Sequence, residues 1–171
     1  MRHRAHPHLD GSMELTIREA VAADYAAICS IFEEADALHR EHLPHIFQKP
    51  PGPVREQEYI LGLITDENVG FFLAQVGSQI VGLVCVLARE APAVPTFVPR
   101  RYATVDSLVV KQSFRRRGIG RALMERAQAW AQAQGLERME LHVWDFNQDA
   151  IAFYEKLGYE NLSRRMGKRL D

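Results

Sequence analysis

The run Arg115-Arg116-Arg117-Gly118-Ile119-Gly120 constrains this chain more than any other stretch. It stands between a strand-like segment, Ala103 to Val110, and a helix-like segment, Arg121 to Gln134. A turn in that place aims the unpaired N–H groups of a helix's first turn, and the positive end of the helix dipole, at one point in space. Gly118 and Gly120 carry no side chain to obstruct the backbone, so an anion can reach the amides themselves. The arginines add charge-assisted donors suited to phosphate. The glycine spacing is neither G-x-G-x-x-G, since position 123 is Leu123, nor G-x-x-x-x-G-K-[ST]. A pyrophosphate cradle and a solvated basic loop both remain open on these residues alone.

The rest of the chain supplies a setting for that turn. Glu14 to Arg18 alternates like a short strand, and Val21 to Leu38 places Val21, Tyr25, Ile28, Ile31, Phe32 and Ala35 at helical intervals, with Asp24 in the first turn. His39 to Pro53 carries four prolines and reads as loop with one helical turn, and Glu56 to Thr65 as a second helix. Gly70 to Val76 and Gln79 to Arg89 form a hairpin through Gly77-Ser78. The proline-rich Glu90 to Arg100 is an irregular loop of the kind that borders binding sites. After the strand Tyr102 to Val110 and the helix ending at Gly135 come a strand over Arg138 to Trp144, a helix over Gln148 to Lys156 and a strand beginning at Tyr159. The order β-α-α-β-β-β-α-β-α-β predicts an α/β domain (α+β by some schemes), with a mixed sheet, helices on both faces and one βαβ unit about the cradle.

Composition narrows the function classes. With 171 residues, 47% hydrophobic and 25% charged, the chain suits one globular domain, and a net charge of −1 argues against a nucleic-acid binder. No apolar run approaches the roughly 18 residues that span a bilayer, so no membrane partner is expected. Cys29 and Cys85 lie far apart in apolar contexts and read as buried, reduced thiols. With a polar start in place of a signal peptide, the expected location is cytoplasmic. Residues 1–12 read as an expression leader, with Gly11-Ser12 as a cloning scar, and residues 13–171 as the single domain; a natural His-rich metal-binding tail is the alternative. His39, His42 and His45 repeat at three-residue spacing, but Pro44 breaks the helix that would align them, and no metal is expected.

Two further segments make the turn specific. Arg-x-x-Gly-x-Gly resembles the coenzyme A pyrophosphate loop of the GNAT (GCN5-related) N-acetyltransferases, and Val105 to Val110 (VDSLVV) resembles the strand that leads into it. Asn147 to Tyr159 resembles the same family's C-terminal signature, N-x-x-A-x-x-F-Y-x-x-x-G-[FY]. Taken singly, Asn147 is a helix N-cap and Phe153 with Tyr154 are core aromatics. The resemblance extends over Glu14 to Met166 and is strongest from Asp106 to Tyr159.

The resemblance implies the GNAT acyl-CoA N-acyltransferase fold, with central strands Tyr102–Val110 and Arg138–Trp144 splayed to admit acetyl-CoA. It implies that backbone groups of Leu108 and Val110 pair with the pantetheine arm. The cradle of Arg115, Arg116, Arg117, Gly118, Ile119, Gly120 and Arg121 would hold the pyrophosphate, with Arg116 and Arg117 reaching the coenzyme's other phosphate. Asn147 would touch the cofactor arm. The implied chemistry is acyl transfer to an amine, with a main-chain N–H around Val109 stabilising the tetrahedral oxyanion. Tyr154, a phenol of ordinary pKa near 10, matches the family's general acid. For the base, Asp106 is favoured, on the same side as Leu108 and Val110 by strand alternation; Glu33, Glu34, His39, Glu140 or a water chain are the alternatives. The implied acceptor is a small-molecule amine, in a pocket lined by His39 to Pro53 and Glu90 to Arg100. A protein N-terminus or lysine is the competing acceptor, a non-catalytic acyl-CoA-binding module is the reading of another class, and a homodimer is compatible with the family.

Overall fold

In a computed structural model that describes residues 8–9 and 13–170, the elements change where the apolar periodicity changes. The chain divides into two compact units, Met1–Leu141 and His142–Asp171. In the first, the strands are β1 (His8–Leu9), β2 (Met13–Glu19), β3 (Val69–Val76), β4 (Gln79–Glu90), β5 (Arg101–Val110) and β6 (Met139–Leu141). They lie in one sheet in sequence order, antiparallel throughout except for the parallel pair β5–β6. The helices of this unit are α1 (Tyr25–His42), α2 (Gln57–Thr65) and α3 (Ile119–Ala133). Of the segment read as an expression leader, the described part is His8–Leu9, which pairs with Met13 and Glu14; the rest lies outside the described residues.

Helices cover both faces of the sheet, which is why β4 reads as a nearly unbroken apolar run. On one face Ile28, Ile31 and Phe32 of α1 and Ile60 of α2 pack with Phe71, Leu73, Leu83, Cys85 and Val109. On the other, α3 buries Leu123, Met124, Ala127 and Ala131. That helix lies very close to the hairpin: a Cβ on Gly70 would stand 2.8 Å from both Phe72 Cε2 and Trp130 Cδ2. Asp24 is the one buried charged side chain among the described residues, and it ties β2 to α1. Both Arg18 terminal nitrogens donate to its carboxylate at 2.8 Å, and the Val21 N–H donates to the same group at 2.9 Å.

Three element boundaries differ from the sequence expectation. Helix α1 runs on to His42, with His39, Arg40 and His42 in the last turn where positive charge suits the dipole. It stops at Leu43, the residue that Pro44 keeps out of the helical region. The strand expected over Arg138 to Trp144 is reduced to Met139–Leu141. The strand expected from Tyr159 is absent. Beyond Tyr159 the apolar residues Leu162, Met166 and Leu170 are all exposed, and the segment has no buried face to hold a strand against the sheet.

In the second unit α4 (Gln148–Lys156) is capped at its start by Asn147, whose side-chain oxygen accepts the Ala150 N–H at 3.2 Å. Its end is closed by Gly158 at φ +90°, with the Tyr159 N–H donating to the Tyr154 carbonyl at 3.0 Å. Among the described residues no helix is long and apolar enough to cross a membrane.

Candidate active site

Strand β5 changes character halfway along. Its parallel pairing with β6 covers Ala103↔Met139, Thr104↔Glu140 and Val105↔Leu141 and goes no further. At the same point its register with β4 slips: Val105 faces Val86 and Ser107 faces Cys85, so Asp106 is the inserted residue of a β-bulge. Side chains exchange faces across it. Val105 sits opposite Val86, which borders Trp130 of α3, whereas Val109 packs in the α1–α2 cluster.

The bulge also turns the backbone. Before it, the Ala103 N–H donates to the Arg138 carbonyl on the β6 side; after it, the Lys111 N–H donates to Val81 on the β4 side, both at 2.8 Å. Ladder alternation from Lys111 directs the Val109 N–H at β4 and the main-chain groups of Leu108 and Val110 at the opposite edge, beyond the last β6 pair. The Val110 carbonyl on that edge accepts Arg115 Nε at 3.0 Å. Leu108 and Val110 are therefore placed to receive an added extended chain. The Val109 N–H, expected from sequence as the oxyanion donor, is turned towards β4 and away from that edge.

The turn itself is built on two residues of positive φ. Arg116 has φ +62°, the one non-glycine residue so disposed among those described, and Gly118 has φ +79° and caps α3. The segment into the turn is held from α1, since the Gln112 N–H donates to Glu34 Oε2 at 2.9 Å. The first helical bond runs from the Ala122 N–H to the Gly118 carbonyl at 3.0 Å, so the amides of Ile119, Gly120 and Arg121 precede it without backbone acceptors. A Cβ at Gly118 would meet no atom within 4 Å apart from its own chain neighbours, so the turn is open at that point. A diphosphate fits this arrangement. Of the arginines, Arg115 is engaged by Val110, and Arg117 lies 5.4 Å over the Phe114 ring.

In the second unit Asn147 spends its side-chain oxygen on the α4 cap, which leaves its NH₂ end to donate. Tyr154 is half-buried, its ring 5.3 Å from Phe153 and 5.7 Å from Tyr159, and its hydroxyl makes no hydrogen bond within the described chain. Burial, with the neighbouring Tyr159 second, pushes the phenol up to about 12. That is higher than the ordinary value assumed from sequence, and it makes Tyr154 a group that keeps its proton.

The base candidates separate by their partners. Glu33 pairs with Arg40 at 2.6 Å, Glu34 accepts the Gln112 amide, His39 Nδ1 lies 2.7 Å from the Ala35 carbonyl, and Glu140 pairs with Arg100 at 2.9 Å. Asp106 is exposed and accepts one long bond, from Ser107 Oγ at 3.2 Å. Its side is set by the bulge rather than by alternation with Leu108 and Val110. It lies by Ser107 and near Cys85, whose thiol is pushed up to about 12 by burial and then by the Asp106 charge. Cys29 is only partly buried. It helps line a cavity of about 350 Å³ between α1 and residues 49–55, which is also bordered by Glu33, one of the alternative bases, and by Lys49, Gly52 and Pro53 of the segment expected to line the acceptor pocket. Among the described residues no group of three or more His, Cys, Asp or Glu is placed to hold a metal.

Comparison with known proteins identifies the family and the fold. Residues 30–159 match the Acetyltransferase (GNAT) family. The chain is 34% identical over 102 residues to an uncharacterized N-acetyltransferase of Methanocaldococcus jannaschii, covering 60% of this chain and 44% of that one. It is 31% identical over 104 residues to the thialysine N-epsilon-acetyltransferase of Caenorhabditis elegans, covering 61% and 62%. The chain thus spans less than two thirds of the length of these relatives. Among solved structures, a mutant of the BH1408 protein from Bacillus halodurans superposes with a TM-score of 0.86 at 25% identity, over 91% of this chain and 99% of that one.

Proposed function

The chain belongs to the GNAT acetyltransferase family, and from that premise we propose that it transfers the acetyl group of acetyl-CoA to a primary amine of a small molecule. The observation that carries this reading is the continuity between a strand edge with outward main-chain groups at Leu108 and Val110 and a helix start with three unclaimed amides. One presents a β-edge to an extended pantetheine arm; the other presents donors to a diphosphate. A relative that by name acetylates the epsilon nitrogen of thialysine supports a small acceptor.

In this mechanism the amine attacks the thioester carbonyl directly. Negative charge gathers on the former carbonyl oxygen and is met by a main-chain N–H of the free β5 edge, at Leu108 or Val110. Asp106, exposed at the bulge, accepts the proton that the attacking nitrogen releases, directly or through water. Tyr154 donates its phenolic hydrogen to the departing sulfur, and its raised pKa keeps that hydrogen in place across the working pH range. Asn147 positions the pantetheine arm through its NH₂ group.

The test is release of coenzyme A thiol from acetyl-CoA with a panel of small primary amines alongside peptides bearing a free N-terminus or a lysine. Turnover with small amines is the expected result. Turnover with peptides alone would move the acceptor to proteins, and stoichiometric binding without release would make the chain a binding module.

A further inference from the structure

Arg100, the last residue of the loop between β4 and β5, places its guanidinium 4.3 Å from the centre of the Tyr102 ring and 2.9 Å from Glu140 Oε1. A carboxylate beside an aromatic face is the pair of surfaces that recognises an alkylammonium or guanidinium ion. Glu140 lies opposite Thr104 in the β5–β6 ladder, so Tyr102, Thr104 and Glu140 share one face of the sheet. It is the face of Leu87, Thr104's partner on β4, and of Cys85, beside which Asp106 stands. A seat for a cation and the favoured base thus lie in line along β5. Two residue steps separate Thr104 from Asp106, about 7 Å at the rise of a strand.

We infer that the Tyr102–Glu140 seat receives a second positive charge on the acceptor, which Arg100 occupies as an internal stand-in until the acceptor displaces it. The acceptor is then a diamine or a similarly dicationic metabolite, its reacting nitrogen at Asp106 and its other cation about 7 Å away. The inference rests on the reading of this edge as the reaction centre. The seat is built for exchange. The Arg100 and Glu140 side chains are 40% and 21% exposed, and partly exposed pairs hold weakly. Arg100 closes a loop whose Val94, Phe97 and Val98 are exposed, so little packing fixes the arginine in place.

Calorimetric binding of 1,4-diaminobutane and of n-butylamine, each in the presence of coenzyme A, tests the seat. The wild type should prefer the diamine by about fivefold or more, Arg100→Ala should widen that preference, and Glu140→Gln should narrow it. Equal binding of the two amines, binding of neither, or weaker diamine binding in Arg100→Ala would overturn the inference. Thermal melts of both variants confirm that they fold, and Arg100→Ala alone decides the matter if Glu140→Gln does not. Thiol release measured in parallel separates the parent reading. Release without a diamine preference sinks the seat alone, whereas preferential binding without release sinks the acetyltransferase reading and leaves the seat.

Discussion

Between Leu108 and Arg121 the chain passes from strand through one turn into helix, and the groups it offers a ligand are main-chain amides and carbonyls. Across residues 43–56 and 91–100 it has nothing longer than a turn, and what it offers there are side chains. The first region depends on residue identity only where conformation demands it, at the positive φ of Arg116 and of Gly118. The second depends on identity everywhere. Donor recognition therefore leaves a short, readable pattern in a sequence, and acceptor recognition does not.

The largest expected effect tests whether chemistry can be separated from donor binding. Tyr154→Phe should lower kcat by about 100-fold or more while the acetyl-CoA KM stays within about twofold. With the phenol pushed up to about 12, the wild-type pH–rate profile should show no limb from Tyr154 below pH 10. A basic limb nearer neutrality that survives in Tyr154→Phe belongs to another group; one that vanishes in it would contradict the assignment.

A smaller effect tests how far α1, which carries Glu34 to the cradle, relies on its own anchor. Asp24→Asn should cost about 2 kcal/mol in urea unfolding, since it removes the charge and one of the two oxygens that accept from Arg18 and the Val21 N–H. The Arg18 guanidinium holds the Asp24 carboxyl below its ordinary value. The pair's contribution is thus complete above the unfolded carboxyl's pKa near 4 and is lost as pH falls through the lower folded value. Asp24→Asn should flatten that part of the acid dependence; an unchanged acid profile would mean that the pair contributes little. The smallest effect is at Arg116. Arg116→Gly relieves a positive φ and should change melting by no more than about 1 kcal/mol in either direction. A large loss would show that its side chain, not its backbone, shapes the turn.

Most of the fold was legible because it depends on period: β3, β4, β5, α2, α3 and α4 lie within a residue or two of where apolar spacing puts them. The bulge was not, because an extra residue in a strand leaves the composition of the strand unchanged. The polar pair Asp106-Ser107 inside VDSLVV was the available sign. The strand expected at Tyr159 failed because an aromatic after a glycine resembles a strand start, whereas the residues that follow are polar or exposed and bury nothing. Among the candidate site residues, the turn at Arg116–Gly118 and the Asn147 cap of α4 were readable as local patterns. Glu34 on the Gln112 amide and Arg100 on Glu140 join residues 78 and 40 positions apart, and no local pattern announces such meetings.

The claim that the backbone makes the essential donor contacts is tested most directly by titrating coenzyme A into Gly118→Val and into Arg116→Ala/Arg117→Ala. The glycine variant forces a β-branched residue into the left-handed conformation that Gly118 takes at the N-cap of α3, and so distorts the turn that presents the amides. It should bind at least about 100-fold more weakly, and the double arginine variant no more than about tenfold. Intact affinity in Gly118→Val, or a greater loss in the arginine variant, would contradict the account.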